Sequence, residues 1–248
     1  MPREHLFLDG EEDTIHANEI VPKTAKEKRA NWWFYHKVHL LVGVLLVALV
    51  GGVIYSLLSR TSPDYTIAIV GGSFYSDDMI TKMEEQLAPY GEDRNGDGQV
   101  QVEVLTYAVG GSGDPQMQEI NGVRMLGDAS EFTSVIYLTD DTGFEWVENE
   151  DSFFAYTDGS TPPEGASDYE NMRVAWEECK GLTSLDLSSD ALSKEEMQTY
   201  MSSFSMSLRV IDGTGFDKNE DDVDYYKDCQ AMFQRLIDGT PVEAEADS

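Results

Sequence analysis

The stretch LLVGVLLVALVGGVIYSLL at residues 40–58 decides how the chain is organised. It contains no charged residue, and a helix of this length spans about the thickness of a bilayer's hydrocarbon core, ~30 Å. A helix of a soluble protein would carry polar residues along one side. Aromatic residues at 32–35 precede the stretch, as they do where a helix enters the headgroup region. The sequence therefore predicts a transmembrane helix at residues 38–59.

The basic residues near this helix predict its orientation. Residues 21–37 contain five lysine and arginine side chains against the single acidic Glu27, whereas beyond the helix Arg60 is followed by no basic residue until Lys82. Because basic residues favour the cytoplasmic side, the N-terminus is expected in the cytoplasm. A cleaved signal peptide is the alternative, but it would need a shorter leading region and a small-residue cleavage site. We predict an uncleaved signal anchor in the cell membrane.

The composition on either side of the helix predicts the other segments. Residues 1–37 are polar and mixed in charge, which indicates a mostly disordered cytoplasmic tail. Residues 60–239 are enough for one extracytoplasmic domain with a single core. Residues 240–248 are expected to form a disordered tail.

The charge distribution excludes several classes of function. The formal net charge is -30, and residues 1–60 contribute none of it because their acidic and basic side chains balance. A domain this acidic repels phosphate, so no nucleic-acid binding is expected. All four histidines precede residue 40. The acidic domain therefore contains no Ser-His-Asp triad, no Cys-His pair and no histidine-ligated zinc.

The first half of the domain alternates strand and helix patterns. Short β-branched or alternating runs at residues 65–70, 100–107 and 134–138 predict strands, and residues 77–90 and 115–126 show helical spacing. Repeated strand–helix–strand units require a mainly parallel sheet flanked by helices. The fold class is therefore α/β.

The second half of the domain is less regular. A strand is expected at residues 152–156 and another at 208–211. A capping box, Ser193 with Glu196, predicts a helix that continues through Phe204. Residues 221–237 have the clearest helical pattern of the domain, and Gly239 ends them.

One motif, DRNGDGQVQ at residues 93–101, indicates specific chemistry. Calcium prefers six to eight oxygen ligands, and a loop supplies them from alternate positions. Gly98 at position six permits a sharp turn, and Val104 occupies position twelve, where an EF-hand has a bidentate glutamate. Oxygen donors fall at positions one, three, five, seven (through the backbone carbonyl) and nine: Asp93, Asn95, Asp97, Gln99 and Gln101.

These nine residues resemble the calcium loop of periplasmic galactose-binding proteins. That loop is EF-hand-like, has glutamine at position nine and takes its bidentate carboxylate from a distant part of the chain. The resemblance implies that Asp93, Asn95, Asp97, Gln99 and Gln101 bind a structural Ca²⁺ and that a remote carboxylate completes the site. The whole chain also shows a faint similarity to single-span exported proteins of Gram-positive bacteria.

Plain turn chemistry is the alternative for this loop, since Asn-Gly and Asp-Gly favour turns without a metal. It explains the glycines but does not require oxygen donors at every ligand position. A second acidic run at residues 217–224 repeats part of the spacing but has no glycine at position six. We interpret that run as acidic residues at the start of a helix, where the macrodipole favours them.

Other candidates remain open. Cys179 and Cys229 form either a disulfide, which an extracytoplasmic location slightly favours, or two buried thiols. Ser73 and Ser112 follow predicted strands in glycine-rich turns and are possible ligand contacts. Asp140 and Asp141 follow another predicted strand and would form a further wall of the same ligand crevice. Neither serine has a histidine base.

The sequence thus favours a non-catalytic role. We expect a single-pass membrane protein whose acidic, calcium-stabilised domain binds a protein or small molecule outside the cytoplasm. The alternative is a carboxylate-dependent extracellular hydrolase of glycans, which would need two carboxylates facing each other across a cleft.

Overall fold

The computed structural model describes residues 24–58, 62–73, 75–111, 114–148 and 153–242. The disorder predicted for the two termini falls largely outside these residues. By its contacts the chain divides into two compact units, residues 1–61 and 62–248.

The first unit contains one long helix, α1 (Ala25–Leu58). Its segment Ala25–Val53 is long and apolar enough to cross a membrane, and all of its residues are exposed. Length and composition alone carry this assignment, and the hydrophobic segment of a signal sequence has the same properties. The helix begins well before the predicted span because the polar residues ahead of the aromatic cluster are also helical.

The second unit is built around a sheet. Its described strands are β1 (Tyr65–Gly71), β2 (Val102–Ala108), β3 (Ile136–Thr139), β4 (Arg173–Ala175) and β5 (Ser205–Leu208). They lie in the order β2-β1-β3-β5-β4. The remaining helices are α2 (Asp77–Leu87), α3 (Pro115–Ser130), α4 (Asp141–Glu148), α5 (Lys180–Ser184), α6 (Lys194–Met201) and α7 (Glu220–Asp238).

The sheet is mixed, which corrects the prediction of a mainly parallel one. β1 pairs in parallel with β2 and β3, but β5 pairs antiparallel with both β3 and β4. The strand–helix–strand alternation, which enforces parallel pairing, ends after β3. The long segment between β3 and β5 lets β5 return in the opposite direction.

Two of the strand predictions in the second half also need correction. Of the predicted strand at 152–156, the described residues 153–156 contribute only an isolated bridge, between Phe154 and Arg209. The strand expected at 208–211 lies three residues earlier, at Ser205–Leu208. The helix predictions hold better, since Ser193 and Glu196 form the expected capping box of α6. Gly239 ends α7 in the left-handed conformation.

The strand alternation creates two hydrophobic layers, one on each face of the sheet. Tyr65, Ile67 and Ile69 of β1 belong to the larger layer, which α2, α5, α6 and α7 cover. Ala68 and Val70 belong to the smaller layer, under α3 and α4. Because successive side chains of a strand point to opposite faces, one buried strand supplies both layers.

The two cysteines are free thiols in the structure, and both are buried. The structure therefore does not contain the Cys179–Cys229 disulfide that the sequence slightly favoured. Burial raises the pKa of each thiol to about 12, so neither is ionised at neutral pH.

Candidate functional site

The predicted calcium loop connects the helical turn Ala88–Tyr90 to β2 and lies at the end of the sheet where β1 and β2 begin. Its side chains fold back on its own backbone. Asp93 accepts hydrogen bonds from the N–H groups of Gly96 and Gly98, both at 2.8 Å. Asn95 accepts one from Asp97, and Asp97 accepts one from Gln99, both at 2.9 Å. The oxygen donors at positions one, three and five thereby shape the loop.

Two glycines allow this tight path. Gly96 has a φ of 73° and Gly98 a φ of 86°. A side chain would be strained in this left-handed region even though open space surrounds both positions. Gly98 occupies the position that the motif reserves for glycine.

The carboxylate of Asp64 accepts hydrogen bonds from the backbone of the loop. The sequence did not predict this role for Asp64. Only 2% of this residue is exposed. One of its carboxylate oxygens accepts from the N–H groups of Arg94 (2.9 Å) and Asn95 (3.1 Å), and the other accepts from Gln101 (2.8 Å). A single acidic residue before a strand is too common a feature to predict this role.

The loop is also attached to α7. Arg94 donates to Asp228 at 2.8 Å, and its guanidinium lies 4.7 Å from the centre of the Tyr225 ring. Partial burial lowers the pKa of Arg94, but the hydrogen bond and charge of Asp228 outweigh it, so the net shift is upward. Nearby, Glu92 forms an ion pair with Arg235. These contacts fix the loop against the helix that closes the larger core.

The Tyr65 hydroxyl lies beneath the loop and accepts a hydrogen bond from the Glu92 N–H group. Burial raises the pKa of Tyr65 to about 12, and the hydrogen bond from Glu92 opposes this shift only in part. Tyr65 therefore stays protonated and serves as a fixed hydrogen-bonding group under the loop.

The donor set of the loop fits calcium in part. Asp93, Asn95, Asp97 and Gln99 are exposed and Gln101 is half-buried. The carboxylate oxygens that accept backbone hydrogen bonds retain further lone pairs for a cation. Among the described residues, however, no three His, Cys, Asp or Glu side chains are grouped so that they could hold a metal ion. In this part of the chain, no third Asp, Glu, His or Cys side chain therefore joins Asp93 and Asp97 in such a group.

The second acidic run behaves as a helix start. Asn219 is the N-cap of α7, and its side chain accepts from the Asp221 N–H group at 3.1 Å. Glu220, Asp221 and Asp222 occupy the first helical turn. This agrees with the helix-capping interpretation of the run.

The opposite end of the sheet, where β1 and β3 end, is closely packed. The Asp140 carboxylate accepts from Gly72 at 2.9 Å and from Gly143 at 2.7 Å. A Cβ atom on Gly111 would lie only 2.2 Å from the Gly72 carbonyl oxygen, so the two glycine turns touch. Asp140 thus joins the turn after β1 to the start of α4. Ser73 is exposed, and Ser112 lies outside the described residues.

A cleft of about 300 Å³ lies beside α4. Its described lining includes three carboxylates, all from α4: Asp141, Glu145 and Glu148. Outside that helix, Tyr169 and Arg173 also line the cleft. Arg173 donates to Asp141 at 2.9 Å and stacks over Phe144. The carboxylates of this cleft therefore share one helix, which is not the facing arrangement that the hydrolase alternative requires.

Comparison with known proteins gives no further assignment for the loop or the cleft. No family model, curated protein or solved structure matches this chain.

Proposed function

We propose that this chain is a single-pass membrane protein whose acidic domain lies outside the cytoplasm and acts as a non-catalytic binding or interaction module stabilised by calcium. The observation that carries the calcium part is the loop at residues 93–101. Three of its five predicted ligand residues, Asp93, Asn95 and Asp97, are already fixed by backbone hydrogen bonds. Calcium would find these side chains ordered, so little conformational entropy is lost on binding.

The expected role of the ion is structural. Calcium at the loop would neutralise Asp93 and Asp97 within a chain of net charge -30. It would also fix the end of α2 against the start of β2. Because Asp93 and Asp97 are the only carboxylates of the predicted ligand set, and no further acid is grouped with them among the described residues, we expect weak binding, with Kd on the order of 10⁻⁴–10⁻³ M as in extracellular modules.

The membrane part of the proposal is supported by α1 and by the charge asymmetry around it. The apolar side chains at residues 40–53 of α1 are exposed, so lipid is the natural environment for them. The excess of lysine and arginine at residues 21–37 favours a cytoplasmic N-terminus. The acidic domain would then meet the high calcium concentration outside the cell.

Calcium titration of the full chain in detergent micelles tests the metal. Thermal unfolding at 10 mM CaCl₂ should show about 1–1.5 kcal/mol more stability than in chelator if Kd is about 1 mM. Asp97→Asn keeps an oxygen for the Gln99 N–H group but removes one charge, so most of the calcium gain should disappear. Asp190→Asn, at an exposed site in another loop, is the matched control and should keep the full gain. An Asp97→Asn variant with an undiminished gain would refute the loop assignment.

Protease accessibility tests the orientation separately. Protease added to intact cells that express the full chain should digest the acidic domain and leave a membrane-protected N-terminal fragment. Digestion only in inverted vesicles would place the domain in the cytoplasm and remove the case for an occupied calcium loop.

A further inference from the structure

The dipeptide Asn-Gly occurs at two positions, and the structure places them in opposite settings. Asn95-Gly96 is exposed in the loop at residues 93–101. Asn121-Gly122 lies inside α3, with the asparagine half-buried and the glycine buried. An asparagine side chain cyclises most easily onto a following glycine, because glycine has no Cβ to hinder the approach of its nitrogen. The two positions therefore separate the effect of structure on this reaction from the effect of sequence.

The helix opposes cyclisation at Asn121. The reaction requires the Gly122 nitrogen to approach Cγ of the asparagine, and in a helix that nitrogen takes part in the backbone hydrogen bonds. The Asn121 side-chain amide also donates to the Ala108 carbonyl oxygen at 3.3 Å, which directs it toward β2. A Cβ at Gly122 would lie 3.0 Å from the Trp146 ring, so the backbone here is closely packed. Cyclisation at this position requires part of the core to open.

Hydrogen bonds between exposed groups oppose the same reaction at Asn95. The Gly96 N–H group donates to the Asp93 carboxylate at 2.8 Å. The Asn95 side chain accepts from the Asp97 N–H group at 2.9 Å and donates to the Ser62 carbonyl oxygen at 3.2 Å. No described atom lies within 4 Å of the position that a Cβ on Gly96 would take. Because exposed hydrogen bonds without core packing open at low free energy, the Gly96 nitrogen becomes available when they break.

We propose that Asn95 is a deamidation site whose rate is set by opening of the loop. The Gly96 nitrogen forms a bond to Cγ of Asn95, and the Cγ–Nδ2 bond breaks. The side-chain nitrogen leaves as ammonia with the proton of the Gly96 N–H group, so a cyclic imide remains. Solvent water then opens the imide. Attack at Cγ restores the backbone and leaves aspartate, whereas attack at the backbone carbonyl carbon leaves isoaspartate, with the main chain running through Cγ.

The two products change the loop in opposite directions. Aspartate at position three keeps an oxygen for the Asp97 N–H group and adds a carboxylate to the predicted ligand set. Isoaspartate adds a carbon to the main chain between two N–H groups with fixed acceptors, that of Asn95 on Asp64 and that of Gly96 on Asp93. Calcium affinity depends on ligand charge and site geometry, so aspartate strengthens calcium binding and isoaspartate weakens it.

Calcium should in turn slow the modification. An ion that binds only the closed loop favours that state by the factor 1 + [Ca²⁺]/Kd, which is about tenfold at 10 mM when Kd is about 1 mM. The deamidation rate falls by the same factor if it follows the population of the open loop. This dependence rests on the proposed calcium function, whereas the modification site itself does not.

Ageing of the full chain in detergent micelles at neutral pH, followed by mass spectrometry, tests the site. Cleavage after glutamate places the two asparagines in separate peptides, residues 93–103 and 120–131, so each sample contains its own control. In chelator, the peptide 93–103 should gain the mass of deamidation at least about tenfold faster than the peptide 120–131. In 10 mM CaCl₂ its rate should fall by about tenfold.

Three variants test the role of the loop in chelator. Asp93→Ala removes the acceptor of the Gly96 N–H group and should speed deamidation at Asn95 several-fold. Asp190→Ala, at an exposed acid of another loop, is the matched control and should leave the rate unchanged. Asn95→Gln should abolish the mass gain in the peptide 93–103, because a longer side chain has to close a larger ring. Circular dichroism melting checks that each variant retains the fold.

The possible outcomes are distinct. Equal deamidation rates in the two wild-type peptides would overturn the proposal, and so would an unchanged rate in Asp93→Ala. Rapid deamidation at Asn95 that calcium does not slow would support the modification site and count against the proposed calcium function. The failure of one proposal is therefore distinguishable from the failure of the other.

Discussion

The loop at residues 93–101 and the acidic run at residues 217–224 share the spacing Asp-x-Asn-x-Asp but have different structures. In the first, side chains turn back onto the loop backbone, and Asp64 holds that backbone from the protein side. In the second, Asn219 caps α7 and the acids that follow are helical. Equal spacing of oxygen donors thus does not by itself determine the backbone conformation. A glycine at position six and a buried acceptor beneath the backbone distinguish the two.

The largest expected difference between the two regions comes from substituting Asp64, the buried acceptor that only the first of them has. Asp64→Ala should lower the free energy of unfolding by about 3 kcal/mol, because three partly buried N–H groups lose their acceptor. Urea unfolding of the full chain in micelles measures this. Asp217→Ala, an exposed acid in the second run, is the control and should cost less than about 0.5 kcal/mol. Equal losses for the two variants would show that Asp64 does not organise the loop.

Removing the helix cap tests the second run. Asn219→Ala should cost about 1 kcal/mol, since the Asp221 N–H group loses its side-chain acceptor. Asn219→Asp should retain most of the stability because aspartate caps equally well. The calcium dependence of melting should be the same in both variants as in the wild type. A changed calcium response would mean that the second run also binds the ion.

Introducing a glycine at position six of the second run tests whether spacing and glycine together are enough to bind calcium. Asp222→Gly gives the second run a glycine at position six, but the residue is in the first turn of α7. We expect a loss of about 0.5–1 kcal/mol, from helix propensity and the lost macrodipole interaction, and no additional calcium stabilisation. Additional stabilisation in 10 mM CaCl₂ would show that spacing with glycine is sufficient without an organising acceptor.

The smallest expected effect concerns the attachment of the loop to α7. A double-mutant cycle of Arg94→Ala and Asp228→Ala should give a coupling energy of about 0.5 kcal/mol, because both side chains remain partly exposed. Urea unfolding of the four chains measures it. A coupling above about 2 kcal/mol would mean that this ion pair, and not Asp64, is the main support of the loop.

The sequence predicted the part of the fold that is regular. The alternation from β1 to β3 was readable because each strand is β-branched or alternating and each helix has apolar residues at helical spacing. β4 was missed because three residues are too few to show a period, and α4 was missed because its eight residues follow β3 almost directly. The strand at 152–156 was wrong because buried aromatic residues such as Phe154 fill the smaller core without forming a ladder.

For the candidate site, the sequence identified the residues of the loop but not what holds them. The positions of Asp93, Asn95 and Asp97 follow from a local motif, since their hydrogen bonds reach only two to five residues along the chain. Asp64 and Asp228 act across 30 or more residues of separation, which no local pattern encodes.

Reading along the chain is enough to predict the apolar α1 segment, the acidic composition of the second unit and the locally hydrogen-bonded loop, because each depends on neighbouring residues. The mixed sheet and the position of Asp64 beneath the loop become clear only from the packing of the second unit. These features depend on which distant segments pack together, and that choice belongs to the whole core.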